Sequence, residues 1–503
     1  MNFSLLLPEI TLFCGALTIL LSDVFFSKKQ VGQKGDMIEE VNPNFFYRSH
    51  LLAIGFCAAA LFFIVNNFVT HELAFSDMFL TNSYISLIKS AVVLLLTVVI
   101  LLSLGFIYVF YKISAEFLAL LMIATVGGMF LISANDFLIF YLGIELQALS
   151  LYLLAAIKRD SKQSSEAGMK YFILGCLASG ILLFGISMIY GFSGTTNFSA
   201  LASLYHASDE SFIMPAGVLF GFILVLTAMF FKISAAPFHM WSPDVYQGSP
   251  AIVTTFFATV VKLTVTIALI KLVSTLFVGW PGVEKIFLFI AILSMAVGSF
   301  GAIFQKNIKR LLAYSSIGHV GFILLGLSAL NLEGYIPSSS TFYILVYTVI
   351  SIGGFGFILL IKDVNNKDHS QEDDATNDRI FDISSLSGLS KTNPVMALSL
   401  AILVFSMAGI PPLAGFFAKF YVIGAALSAK FYVAAVIAVL FSVISAYYYL
   451  RIIKIMYFDE AKNVINLDDI TNVKTVIFIA AMLNLFLLFF LHPVMDAIKL
   501  TLI

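Results

Sequence analysis

Residues 229–248 read MFFKISAAPFHMWSPDVYQG. Lys232 stands at the end of a long apolar run, and Pro237 follows five residues later. Proline lacks a backbone donor and its ring clashes with the preceding turn, so a helix entering this stretch ends or kinks between Ser234 and Pro237. If the run spans a bilayer, the freed backbone groups are tolerated only where protein or water satisfies them, and the break marks a polar cavity. A lysine beside such a cavity is a candidate for function rather than packing.

Composition shows that the bilayer is the right solvent. Of 503 residues, 60% are hydrophobic, 11% are charged and 51 are Phe, whereas soluble domains carry about a quarter charged residues. The net charge of −1 gives no basic excess of the kind that nucleic acid requires. Cys14, Cys57 and Cys176 lie singly in apolar segments, without metal-ligand or redox-pair spacing, and are expected to be buried small hydrophobes. No Cys/His cluster suits a metal, and nothing suggests a haem or flavin held by this chain. Pro8 and Glu9 interrupt the start of the first apolar run, no basic segment precedes it and no cleavage site is evident, so it reads as a spanning helix rather than a signal peptide.

Cutting the chain at charged, Gly and Pro punctuation leaves fourteen segments long enough to cross about 30 Å of hydrocarbon. They run at 3–26, 50–69, 84–111, 115–134, 136–157, 168–190, 212–235, 250–275, 285–304, 310–330, 341–361, 394–427, 431–456 and 473–497. Basic residues concentrate on the cytoplasmic side of membranes. With the N-terminus outside, twenty of the 28 Lys and Arg residues fall on inward loops and helix ends. Five fall outward, namely Lys89, Lys271, Lys285, Lys430 and Lys499. Lys271 and Lys454 read as snorkelling residues near helix ends. The remaining three, Lys232, Lys262 and Lys419, are embedded.

A charge near the bilayer centre costs about 2.5–3.5 kcal/mol on insertion scales, so the embedded lysines require a reason. Lys262 lies about a dozen residues from the inner end of the eighth span, near the midplane at 1.5 Å per residue. Glu145, in NDFLIFYLGIELQALS (135–150), is the candidate partner for Lys232, with Gln147 and Tyr141 either hydrating the site or bonding helices together. An ion pair that only locks helices is the simpler reading of each charge; a proton relay is the functional one. Residues 409–419, GIPPLAGFFAK, interrupt the twelfth span as Ser234 to Pro237 interrupt the seventh. The two spans cross in opposite directions, which is the arrangement of inverted-repeat transporters, whose sites lie near the midplane. The repeats would be spans four to eight and nine to thirteen. His319, in the tenth span, either relays protons or bridges helices. His239 and Asp244, in a segment without Lys or Arg, read by default as loop structure, with proton entry or an inter-subunit contact as the alternatives.

These residues carry a resemblance. FKISAAPFHMWSPDVYQGSP (231–250), NIKRLLAYSSIGH (307–319) and GIPPLAGFFAK (409–419) resemble the antiporter-like membrane subunits of respiratory complex I, over about residues 115–457. The resemblance implies an all-α polytopic membrane protein with two inverted five-helix repeats, each holding a broken helix. It implies an N-terminal three-helix segment (1–114), repeats at 115–276 and 284–457, and a C-terminal helix at 458–503. It implies a proton-pumping subunit of a bacterial inner-membrane NADH-quinone oxidoreductase, without a cofactor of its own. NADH, FMN, iron–sulfur clusters and quinone would be handled by partner subunits. The family's glutamate in the fifth helix, its lysines in the seventh and eighth, and its lysine or glutamate in the twelfth fall on Glu145, Lys232, Lys262 and Lys419, and His319 joins the relay. A multi-subunit sodium/proton antiporter subunit and a structural spacer are the alternatives. The loop from Lys362 to Thr392, acidic as far as Arg379, is longer than a helix connection needs and reads as a solvated linker.

Overall fold

The computed structural model describes residues 3–26, 30–31, 37–38, 43–68, 71–106, 114–205, 215–277, 280, 282–330, 337–362, 381–460, 466–467 and 470–502. Lys28, Lys29, Lys34, Lys112, Lys367, Arg379 and Lys462 of the inward basic set, and residues 363–380 of the acidic loop, lie outside them. The described end of that loop is not a free linker. Ile308 N donates to Phe381 O at 2.8 Å and Ile383 N to Lys306 O at 2.8 Å, which fastens it to an inward helix end.

Twelve helices among the described residues are long and apolar enough to cross a membrane. The first six are α1 (Leu7–Phe26), α2 (Pro43–Asn66), α3 (Ser83–Ser103), α4 (Ser114–Ser133), α5 (Phe137–Ala155) and α6 (Lys162–Ser193). The seventh span is the shorter α7 (Ala216–Lys232), followed at its inward end by the short α8 (Trp241–Gly248). After it come α9 (Ala251–Leu276), α10 (Val283–Ile303), α11 (Ile308–Leu327) and α12 (Ser338–Ile358). The twelfth span is divided into α13 (Pro394–Ala408) and α14 (Ala414–Ser428), and α15 (Tyr432–Phe458), α16 (Thr471–Phe486) and α17 (Leu491–Leu502) complete the chain. With α16 and α17 taken as one crossing, the spans number fourteen, at the expected places.

Local chemistry sets the ends. Asp136 caps α5 by accepting from Leu138 N at 2.7 Å, and its other oxygen accepts from Thr196 Oγ1 at 2.7 Å. Asn307 accepts from Lys309 N and Arg310 N at the start of α11. Such caps satisfy amides that a helix start leaves open.

Two five-helix units, α4 to α7 with α9 and α10 to α15, form the body. Lipid supplies no hydrophobic drive between helices, so their association relies on close packing through small residues. The first two helices of each unit do this alike. A Cβ on Gly127 of α4 would meet Gly143 O of α5 at 2.9 Å, and one on Gly298 of α10 would meet Gly318 N of α11 at 2.4 Å. Between the units, α9 is buried along its length, and its residues Phe257–Val261 form a π-helix immediately before Lys262. A hairpin, β1 (His71–Ala74) and β2 (Phe79–Asn82), covers the end of α4.

Candidate functional site

Both interrupted spans satisfy their freed backbone with protein. After Lys232, Ser234 takes φ 62°, and Ala235 N donates back to Phe230 O at 2.8 Å. Ala236 N donates to Ser294 Oγ of the second unit at 2.9 Å, and Trp241 Nε1 donates to Phe231 O at 2.9 Å. In the twelfth span Gly409 takes φ +85°, and a Cβ there would lie 2.9 Å from Lys419 Cδ, so this position requires glycine for conformation and for room. Gly415 N donates to Ser406 Oγ at 3.0 Å, and Ser406 Oγ donates to Asn484 of α16 at 3.0 Å. Each break contains a cis X–Pro bond, at Ala236–Pro237 and Pro411–Pro412.

The break in the twelfth span supplies part of the lysine site beside it. Lys419 is 5% exposed and donates to Ala408 O at 2.8 Å, the carbonyl at the end of α13, and to Ser442 Oγ of α15 at 3.0 Å. A cation is favoured at a helix C-terminus, where unsatisfied carbonyls gather partial negative charge. Lys262, also 5% exposed, donates to Ser316 Oγ of α11. One helical turn away, His319 contacts Tyr343 OH at 2.7 Å through Nδ1 and Tyr449 OH at 3.1 Å through Nε2. Tyr449 OH in turn bonds Ser315 Oγ, the neighbour of Ser316. Ser442, Ser445 and Tyr449 share one face of α15 by their spacing of three and four residues. Lys262, His319 and Lys419 are thereby brought into one buried hydroxyl-rich layer.

Glu145 and Lys232 stand apart from that layer and from each other. Lys232 Nζ donates to Ser179 Oγ of α6 at 3.4 Å, while Glu145 Oε1 is buried without a hydrogen-bond partner. They form no ion pair here, contrary to the expected pairing. Leu142, Leu149 and Leu153, on the same edge of α5 as Glu145, are exposed on the outside of the chain. Gln147 serves packing, since it donates to Thr264 Oγ1 at 3.0 Å and Ala124 O at 3.3 Å.

Several other expectations are corrected. Lys271 does not snorkel; it turns inward and donates to Ile132 O at 2.9 Å and Ala134 O at 2.8 Å, neutralising the end of α4. Lys89 is buried in an ion pair with Glu9 at 2.5 Å. Of the cysteines only Cys57 is buried, and Cys14 and Cys176 are exposed. The segment with Asp244 is the helix α8, not a loop. Its carboxylate is shared between Lys170 at 2.8 Å and Arg310 at 2.6 Å. Part-burial pushes this carboxyl upward, but the Lys170 and Arg310 bonds outweigh it and hold it below its ordinary value.

The sequence reading missed Ser316, Tyr343, Ser442 and Tyr449. The only signal was the run AYYYL at 446–450, in a span whose charges, Arg451 and Lys454, lie near its end. Among the described residues no group of three or more His, Cys, Asp or Glu could hold a metal ion. Amines, an imidazole and hydroxyls are groups that can hold protons, and at Lys419 the charge meets the Ala408 carbonyl.

Residues 134–445 match the family model described as NADH:quinone oxidoreductase/Mrp antiporter, transmembrane. The chain is 41% identical over 496 residues to NADH-quinone oxidoreductase subunit N of Parvibaculum lavamentivorans, covering 97% of this chain and 94% of that one. It is 39% identical over 498 residues to the subunit N of Pelagibacter ubique, covering 98% and 97%. A chain of respiratory complex I from Thermus thermophilus superposes with a TM-score of 0.79 at 26% identity, covering 98% of this chain and 99% of that one. A chain of the Mrp complex from Dietzia sp. has the same fold, with a TM-score of 0.79 at 20% identity, covering 99% and 97%.

Proposed function

The chain belongs to the NADH:quinone oxidoreductase/Mrp antiporter membrane family, and from that premise we propose that it is the N-type membrane subunit of a bacterial NADH-quinone oxidoreductase. Its partners are the other subunits of that complex, which hold the NADH, flavin, iron–sulfur and quinone sites. This chain performs the translocase part, moving protons across the inner membrane as quinone is reduced elsewhere. The observation that carries the reading is the buried layer joining Lys262 to His319 and Lys419 through serine and tyrosine hydroxyls.

Protons enter from the inward side, rest on Lys262 and leave outward past His319 and Lys419. The work is divided between the two repeats, 115–276 and 284–457. Glu145 and Lys232 form the control element, alternating between paired and separated. At an effective dielectric of about 20, unit charges 4 Å apart interact by roughly 4 kcal/mol, enough to move a proton on a neighbouring group. The separated arrangement seen here raises the positive potential around Lys262 and favours release. Near-full-length identity to subunit N supports this reading over the sodium/proton antiporter, for which the shared family model and the fold speak.

The test is Lys262→Ala in the assembled complex, reconstituted in sealed vesicles, with protons counted per electron. Loss of protons per electron is expected. Normal pumping would leave the chain a structural spacer. Co-purification without flavin and iron–sulfur subunits would return the antiporter reading.

A further inference from the structure

The short helix α8 hangs between the two embedded lysines of the first unit. Its first residue, Trp241, comes nine residues after Lys232, and α9, which carries Lys262, begins at Ala251, three residues after its last. Along the chain, α8 is the link between the end of α7 and the start of α9. Several contacts hold α8 in place. The Asp244 carboxylate bonds Lys170 of the first unit with one oxygen and Arg310 of the second with the other. Arg310 also donates to Gln247 Oε1 at 3.1 Å, and Lys309 Nζ donates to Ser249 O at 3.1 Å, at the carbonyl end of the helix. Gly248 lies so close to α6 that a Cβ would meet Gln163 O at 2.6 Å.

These contacts wall a cavity of about 270 Å³ on the inward side, lined by Gln163, Glu166, Lys170, Asp244, Gln247 and Arg310. At about 30 Å³ per molecule it has room for several waters. Two serine hydroxyls on the flanks of the acidic bridge, Ser242 and Ser249, are fully buried and have no hydrogen-bond partner. Buried hydroxyls are normally satisfied, and unfilled ones are places for water. Neither serine lines the cavity, but Ser242 comes two residues before Asp244 and Ser249 directly follows Gly248, both of which do, so the open hydroxyls lie one step behind its wall at the inward mouth of the first unit.

We propose that the Lys170–Asp244–Arg310 bridge is a latch on the inward mouth, tying α8 to both units and controlling water entry toward Lys262. Asp244 acts as a positioning residue and carries no proton itself. When Lys232 meets or leaves Glu145, α7 shifts and α8 follows. The latch then loosens, and water from the cavity reaches Ser242 and Ser249. This inference rests on the proton-pumping reading above and assigns the device that opens its inward side.

The test places a reporter, Ser249→Cys, in a complex whose Cys14, Cys57 and Cys176 are replaced by Ala. Its modification rate by a water-soluble maleimide is measured from the inward side. Asp244→Asn is expected to raise that rate about tenfold, as removal of two part-exposed ion pairs implies, and to lower protons pumped per electron. Asp244→Glu should restore both. An assembled Asp244→Asn complex with unchanged labelling, or with normal pumping, overturns the latch. Should Asp244→Asn fail to assemble, Arg310→Gln with Asp244 intact is read the same way. In the unsubstituted latch, labelling should be faster during turnover than at rest, and equal rates also overturn it. Lys262→Ala run in parallel separates the two ideas, because normal pumping there defeats the pump reading whatever the labelling shows.

Discussion

Lys232 and Glu145 sit within electrostatic reach of each other without forming an ion pair, which is the arrangement in which a switch and a mere clamp make different predictions. A clamp can be replaced by apolar groups with little loss. A switch cannot. Lys232→Ala and Glu145→Ala should each impair proton pumping coupled to quinone reduction, and the double variant should assemble but stay impaired. Near-normal pumping by the double variant in sealed vesicles would make the pair structural. The opposite outcome is expected for Glu9 and Lys89, whose buried ion pair lies outside both repeats. Glu9→Ala should destabilise the solubilised complex by about 3–5 kcal/mol, because it strands the Lys89 charge, whereas Glu9→Met with Lys89→Met should be close to neutral. Thermal melts of both variants decide this. The three embedded lysines stood out because a charge within an apolar run is costly. Tyr343 and Tyr449 did not, since a tyrosine in a membrane span is also ordinary packing. Lys271 misled because its position near a helix end fits snorkelling, and only tertiary structure shows which way a long stem turns.

At the scale of elements, α8 carries a pH signature. Asp244 titrates below its ordinary value in the folded chain because Lys170 and Arg310 favour its charged form. A carboxylate depressed in this way adds stability above its unfolded value of about 3.9, and the stability is lost as pH falls through the folded value. Glu166, which pairs with Lys170 at 2.7 Å, shares the cluster and limits the effect. Asp244→Asn should therefore lower the melting temperature of the complex at neutral pH, and the difference from the parent should close under acid conditions. A gap that stays constant with pH would show that the ion pairs are not its source. The two interruptions were legible because Pro has few backbone options and Gly takes conformations that other residues avoid. That Trp241–Gly248 forms a helix was not legible, because so short a helix depends on contacts from α6 and α11 that no local pattern reveals.

For the whole molecule, fourteen spans and the crowding of Lys and Arg on one side predict both termini on the non-cytoplasmic side. A reporter fused after Ile503 that is active only in the cytoplasm should stay silent, and activity would overturn the orientation. Span positions were readable because the bilayer demands about 20 apolar residues per crossing. Which faces turn toward each other was not readable, since helices such as α4 and α5 are apolar all round. The π-helix at Phe257–Val261 gives this distinction an evolutionary edge. A π-turn accommodates an extra residue within a helix. An insertion accommodated in this way leaves the flanking registers as they were, so removing one residue from Phe257–Val261 would straighten α9 and keep Lys262 facing Ser316. Removing one residue from the regular helix after the π-turn instead would turn everything before the cut by about 100° relative to everything after it. A one-codon deletion therefore has opposite consequences at two places in a span whose composition and hydropathy hardly register it.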